Sequence, residues 1–86
     1  MTNPIAHHCV VVFERTGEKL VAIGPAEYES ANEAEEAAKA ISPHFAGAVA
    51  LTLTKDHDSG ELLEAKVLLQ LGEADFAALV NVFGDD

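Results

Sequence analysis

The chain has 86 residues, with fifteen Asp and Glu against five Lys and Arg, and a net charge of −10 at pH 7 when its four His are neutral. A field of that sign repels phosphate backbones and anionic lipid, so direct nucleic-acid binding and membrane-surface binding are not expected. At 49% apolar residues the chain is too hydrophobic to stay disordered, and its length makes one small domain over 1–86.

Five aromatics and no Trp leave Val, Leu, Ile and Ala to build the core. Area scaling for a domain of this size gives a folded surface of roughly 4,900 Å² against roughly 13,200 Å² unfolded. That allows one modest core, and association through an apolar face would add to it. Cys9 is the one cysteine, so no intrachain disulfide forms. Residues 1–8 lack a basic start and an apolar stretch, and no apolar run approaches the ~20 residues of a membrane span. The expected location is cytoplasmic.

Residues 1–7 read as a short flexible lead-in. Cys9-Val10-Val11-Val12-Phe13-Glu14 is a β-branched run, the first strand. Arg15-Thr16-Gly17-Glu18 is a turn, with Gly17 supplying a positive φ. Lys19 to Ile23 completes a hairpin, which Gly24-Pro25 stops. Ser30-Ala31-Asn32-Glu33 is a capping box. It opens a helix over about Ala31–Ile41, with an apolar face of Ala34, Ala37, Ala38 and Ile41. Ser42-Pro43 ends it, because the residue before proline disfavours α geometry.

Ala48 to Thr54 alternates at period two, with Val49, Leu51 and Leu53 on one side. Lys55 to Gly60 is a polar turn, and Leu62 to Leu71 is the fourth strand. Its inward set is Leu63, Ala65, Val67, Leu69 and Leu71, with Leu68 outward. Gly72-Glu73-Ala74-Asp75 begins a last helix. Phe76, Leu79, Val80 and Phe83 form its apolar stripe, Gly84 its cap, and 84–86 an acidic tail. The expected fold is α+β, ordered ββαββα, a four-stranded antiparallel-type sheet with helices packed mainly on one face. Strand order stays open between β2 beside β3 and a junction of the first and fourth strands.

The charge is uneven. Residues 1–26 are neutral, whereas 27–43 and 73–86 each carry −4 and 44–72 carry −2. Glu27, Glu29, Glu33, Glu35 and Glu36 fall within ten residues with no intervening base. Such a strip either solvates a helix face or docks on Lys and Arg of a partner. The first hairpin is apolar on both faces, so a second sheet face needs cover. Val10, Val12 and Leu68 are the candidates for homodimer contacts through that face or a sheet edge. The competing reading folds the C-terminal helix over it.

Residue patterns for chemistry are sparse. His7 and His8 are adjacent, and adjacent side chains point apart in extended backbone, which spoils a metal site. Asp56-His57-Asp58-Ser59-Gly60-Glu61 departs from an EF-hand loop, with Gly60 at position five, Glu61 at six and Val67 at twelve. A hairpin tip also gives His57 no sheltered pocket, nucleophile or oxyanion site. No catalytic, metal or cofactor residues are assigned, and the chain reads as a non-enzyme.

The expected role is a cytoplasmic protein-interaction module of bacterial or phage type, homodimeric, contacting a partner that is basic. In size and acidity the chain is similar to small phage-encoded inhibitors, including anti-CRISPR proteins, a likeness of composition that covers no motif. It implies an acidic strip occupying a basic nucleic-acid-binding groove. A small-ligand or metal-binding domain using His and Asp is the alternative from another class.

Overall fold

The computed structural model describes residues 4–83, the side chains of 80–83 excepted. Strands β1 (Pro4–Thr16), β2 (Lys19–Tyr28), β3 (Gly47–Asp56) and β4 (Leu62–Gly72) form one antiparallel sheet ordered β2-β1-β3-β4. Helix α1 (Ala31–Ile41) and a 3₁₀ turn (Ser42–His44) connect β2 to β3, and α2 (Phe76–Phe83) follows β4. The fold is α+β, a four-stranded antiparallel sheet with a helix packed against it.

The two hairpins join through β1 and β3, an arrangement neither sequence alternative contained. Hydropathy accounts for it. Cys9 to Phe13 and Gly47 to Leu51 are continuously buried, so these strands are apolar on both faces and belong in the middle. The charges of Lys19 and Glu27, and of Glu64 and Lys66, sit on the outer strands β2 and β4, where both sides of the strand reach water.

Alternation along β1 and β3 sorts the core into two halves. On one face Val10, Val12, Ala48 and Ala50 meet Ala34 and Ala38 of α1. On the other, Cys9, Val11, Phe13, Val49, Leu51 and Leu53 gather with Leu79 of α2. The helices therefore cover opposite faces, which corrects the one-face arrangement expected from sequence. Each strand offers apolar side chains in both directions, and one helix shields only one of them. Ala34 and Ala38 lack bulk, so α1 lies directly on the sheet.

β1 begins at Pro4, not Cys9. Residues 4–7, expected as a flexible lead-in, pair with Leu53 to Asp56 of β3. Pro4-Ile5-Ala6-His7 shows neither a β-branched run nor period-two alternation, and backbone pairing to an extended β3 needs neither. Residues 1–3 and 84–86, with the Gly84 cap and acidic tail, lie outside the described residues. β2 likewise runs past Gly24-Pro25 to Tyr28, with a register shift between Val10 and Val12. Proline is accommodated there because β2 is an edge strand with one side free of ladder bonds.

β4 departs from strict alternation. Its register on β3 slips between Ala50 and Leu51, and again between Thr54 and Lys55, leaving Leu68 and Leu63 as extra residues. Leu68, Leu69 and Leu71 consequently pack on the α1 side, while Val67 pairs with Leu51 on the other. The single inward set expected for this strand is split between the two faces.

At the far end, Gly47 pairs with Gly72. Gly72 has φ 72°, and the Glu73 amide donates to the Ala46 carbonyl at 2.9 Å. The Ala46 amide in turn donates to Phe13 O at 2.9 Å. These bonds tie the exit of β4 to the start of β3 and to β1 before the chain enters α2.

Candidate functional site

Glu27, Glu29, Glu33, Glu35 and Glu36 are contiguous in sequence but not in space. Glu27 lies opposite Cys9 in the β1–β2 ladder, so it points to the face that holds Leu79. Its Oε2 is 3.2 Å from Nδ1 of His7. Tyr28, one residue on, turns to the α1 side.

Ser30 caps α1, its Oγ accepting from the Glu33 amide at 3.1 Å. The Glu33 carboxylate reaches back and accepts from the Glu29 amide at 3.4 Å, one residue short of the Ser30 amide that a standard capping box uses. Glu33 and Glu36 lie three residues apart on the exposed side of the helix, and Glu35 sits half-buried on its other flank. Glu36 is 3.6 Å from Lys39, the one cation on α1. Glu29 and Glu35 carry no ion pair among the described residues. The acidic surface is thus centred on the first half of α1 with Glu29, and Glu27 stands apart on the sheet edge.

Val10 and Val12 are 4% and 7% exposed and lie beneath α1, with Leu68 half-buried beside them. Self-association through these side chains would require α1 to leave the sheet. The second apolar face inferred from sequence is real, and its cover comes from α1 of the same chain.

His7 and His8 point to opposite faces. His7 meets Glu27, and His8 Nδ1 lies 2.9 Å from Thr52 Oγ1. Among the described residues no three His, Cys, Asp or Glu side chains converge on a metal-sized site. The Asp56–Glu61 segment is a hydrogen-bonded turn. Ser59 Oγ donates to Asp56 Oδ2 at 2.9 Å, the Gly60 amide donates to Asp56 O at 2.7 Å, and Gly60 has φ 75°.

Cys9 is buried. Burial pushes its thiol up to about 11, helped by the Glu27 carboxylate and opposed by Lys55. At neutral pH it is a small apolar core group, not a nucleophile.

An open groove of about 500 Å³ lies between the β1–β2 hairpin and α2, lined by Arg15, Glu18, Lys19, Leu20, Asp75 and Ala78 among others. Sequence reasoning did not find it, since it depends on α2 crossing to that face. Its charges balance, Arg15 is committed to Glu73, and Asp75 Oδ1 already accepts the Ala77 and Ala78 amides that open α2.

The outer strands carry what the sequence reading missed. Val21 and Ile23 on β2, and Leu62, Leu63 and Val67 on β4, are each more than 40% exposed. Their signal was present as apolar residues beyond what one helix per face can cover.

Comparison with known proteins returns no match: no family model fits the chain, and neither a curated protein nor a solved structure is similar to it. Among the described residues no helix is long and apolar enough to cross a membrane.

Proposed function

We propose that the protein is a non-enzymatic, self-associating interaction module of the cytoplasm that docks a basic protein partner through the acidic side of α1. The observation that carries this reading is the exposure of Glu29, Glu33 and Glu36 around a helix whose single cation, Lys39, is held by Glu36. Glu33, in the first turn of α1, is favoured there by the helix dipole. The surplus negative field steers a cationic partner toward that side and speeds encounter.

The test compares the native chain with a Glu29→Gln, Glu33→Gln, Glu36→Gln variant as bait for native lysate, eluted in steps of salt. The reading expects a basic protein that is held by the native chain, leaves below about 0.5 M salt, and is lost with the variant. A partner retained by the variant, or one insensitive to salt, overturns it. Displacement of the partner by duplex DNA identifies the docked surface as a nucleic-acid-binding groove.

A further inference from the structure

The outer edge of β4 has no strand beside it among the described residues, and every residue from Leu62 to Val67 is exposed. We infer that this edge pairs with β4 of a second copy, antiparallel, about a two-fold axis through Ala65.

The register follows from charge. In an antiparallel pair of identical strands, residues opposite one another sum to a constant, and outward-pointing amides meet only when that sum is even. Pairing about Glu64 sets two carboxylates face to face, and pairing about Lys66 sets two ammonium groups face to face. Like charges directly opposite destabilise a sheet. Pairing about Ala65 instead puts Glu64 of each copy opposite Lys66 of the other, twice in one interface. The same register places Leu63 opposite Val67, also twice.

These two kinds of pair separate cleanly by face. Lys66 and Glu64 pair with Thr52 and Thr54, on the α1 side. Val67 pairs with Leu51, on the Leu79 side, and alternation from Glu64 puts Leu63 there too. Leu63 and Val67 are 43% and 47% exposed, so pairing removes apolar area from water as well as satisfying backbone groups. The slips at Leu63 and Leu68 bound the regular stretch to Glu64–Val67. A seam with three regular positions therefore centres only on Ala65 or Lys66, and charge selects Ala65, with Leu63 at the margin of the seam. A lone edge of this kind is a template for strand addition, and this one is self-complementary, the requirement of a two-fold contact.

The inference rests on the self-association part of the proposed function and replaces Val10 and Val12 as its contact. Sedimentation equilibrium from 10 to 500 µM is run on the native chain, on Glu64→Lys, on Lys66→Glu, and on the doubly exchanged chain, with circular dichroism confirming the fold of each. The native chain is expected to dimerise. Each single reversal creates two like-charge pairs and is expected to weaken dimerisation about tenfold or more. The double exchange restores opposite charges and is expected to return the native affinity. A native chain that stays monomeric throughout overturns both self-association and this edge. A native dimer indifferent to the single reversals, or one the double exchange does not restore, overturns the β4 seam and leaves self-association standing. The lysate test above is decided separately by the Glu29, Glu33 and Glu36 variant.

Discussion

Gly47 and Gly72 face each other across β3 and β4, and each is closed to a methyl group by the backbone next to the other. A Cβ on Gly47 would sit 1.8 Å from the Glu73 carbonyl oxygen. A Cβ on Gly72 would sit 2.3 Å from the Ala46 carbonyl oxygen. The pair is where β4 passes over the start of β3 on its way to α2.

Gly47→Ala is expected to lower stability by about 2 kcal/mol or more, since backbone and not a movable side chain must give way. Gly17→Ala provides the contrast. Nothing lies within 4 Å of its Cβ position, and only its φ of 65° resists substitution, for about 1 kcal/mol. Urea unfolding of both variants checks the order; equal losses would contradict the close crossing.

Burial of Val10 and Val12 beneath α1 makes them core residues. Val10→Ala and Val12→Ala are each expected to lower stability by about 2 kcal/mol while leaving any dimer constant of the folded fraction unchanged. Denaturant midpoints combined with sedimentation separate the two effects. Unchanged midpoints with weakened association would restore them as contact residues.

The raised Cys9 pKa ties stability to alkaline pH. The folded value of about 11 lies above an ordinary 9.0, so the fold favours the protonated thiol. Its contribution is intact below pH 9 and is lost as pH rises through about 11, on the order of 2 to 3 kcal/mol in full. Cys9→Ala is expected to flatten the stability profile over that window relative to the native chain. Iodoacetamide at pH 8 is expected to leave the native thiol unlabelled and to add one equivalent after denaturation.

Ser30→Ala removes the hydroxyl that accepts the Glu33 amide and is expected to cost about 1 kcal/mol. Glu73→Ala breaks the pair with Arg15, whose side chains are 49% and 54% exposed, and is expected to cost well under about 1 kcal/mol. Thermal unfolding of the two variants side by side gives the ranking. A larger loss for Glu73→Ala would mean that the pair holds α2 in place.

Local chemistry was legible wherever a few neighbouring residues decide the outcome. Ser30 with Glu33 set the start of α1, Gly17 set the first turn, and the period of Val49, Leu51 and Leu53 set β3. What depended on distant partners was not legible. Pro4 to His7 become strand only because β3 extends beside them, and β2 survives Pro25 only because it is at an edge. The phase of β4 is reset at Leu63 and Leu68 by its pairing with β3, which alternation within β4 does not report. The acidic strip was visible as composition, but the alternation of Glu27 and Tyr28 across the sheet splits it, and that required the ladder. The β4 edge was hidden for the same reason: Glu64 and Lys66 gain meaning only once β4 is known to be outermost.

The junction of β1 with β3 sets how the chain folds in time. Each hairpin closes over a short loop, whereas pairs such as Val11 with Val49 close a far longer one and must lose that chain entropy before any buried face rewards them. Docking of one preformed hairpin on the other is therefore the slow event. Substitutions at the Gly17 or Gly60 tips, which are formed before that step, should slow folding with little change in unfolding. Substitutions at Val11 or Val49, whose packing is completed with docking, should also speed unfolding, a division that the two arms of the chevron measure directly.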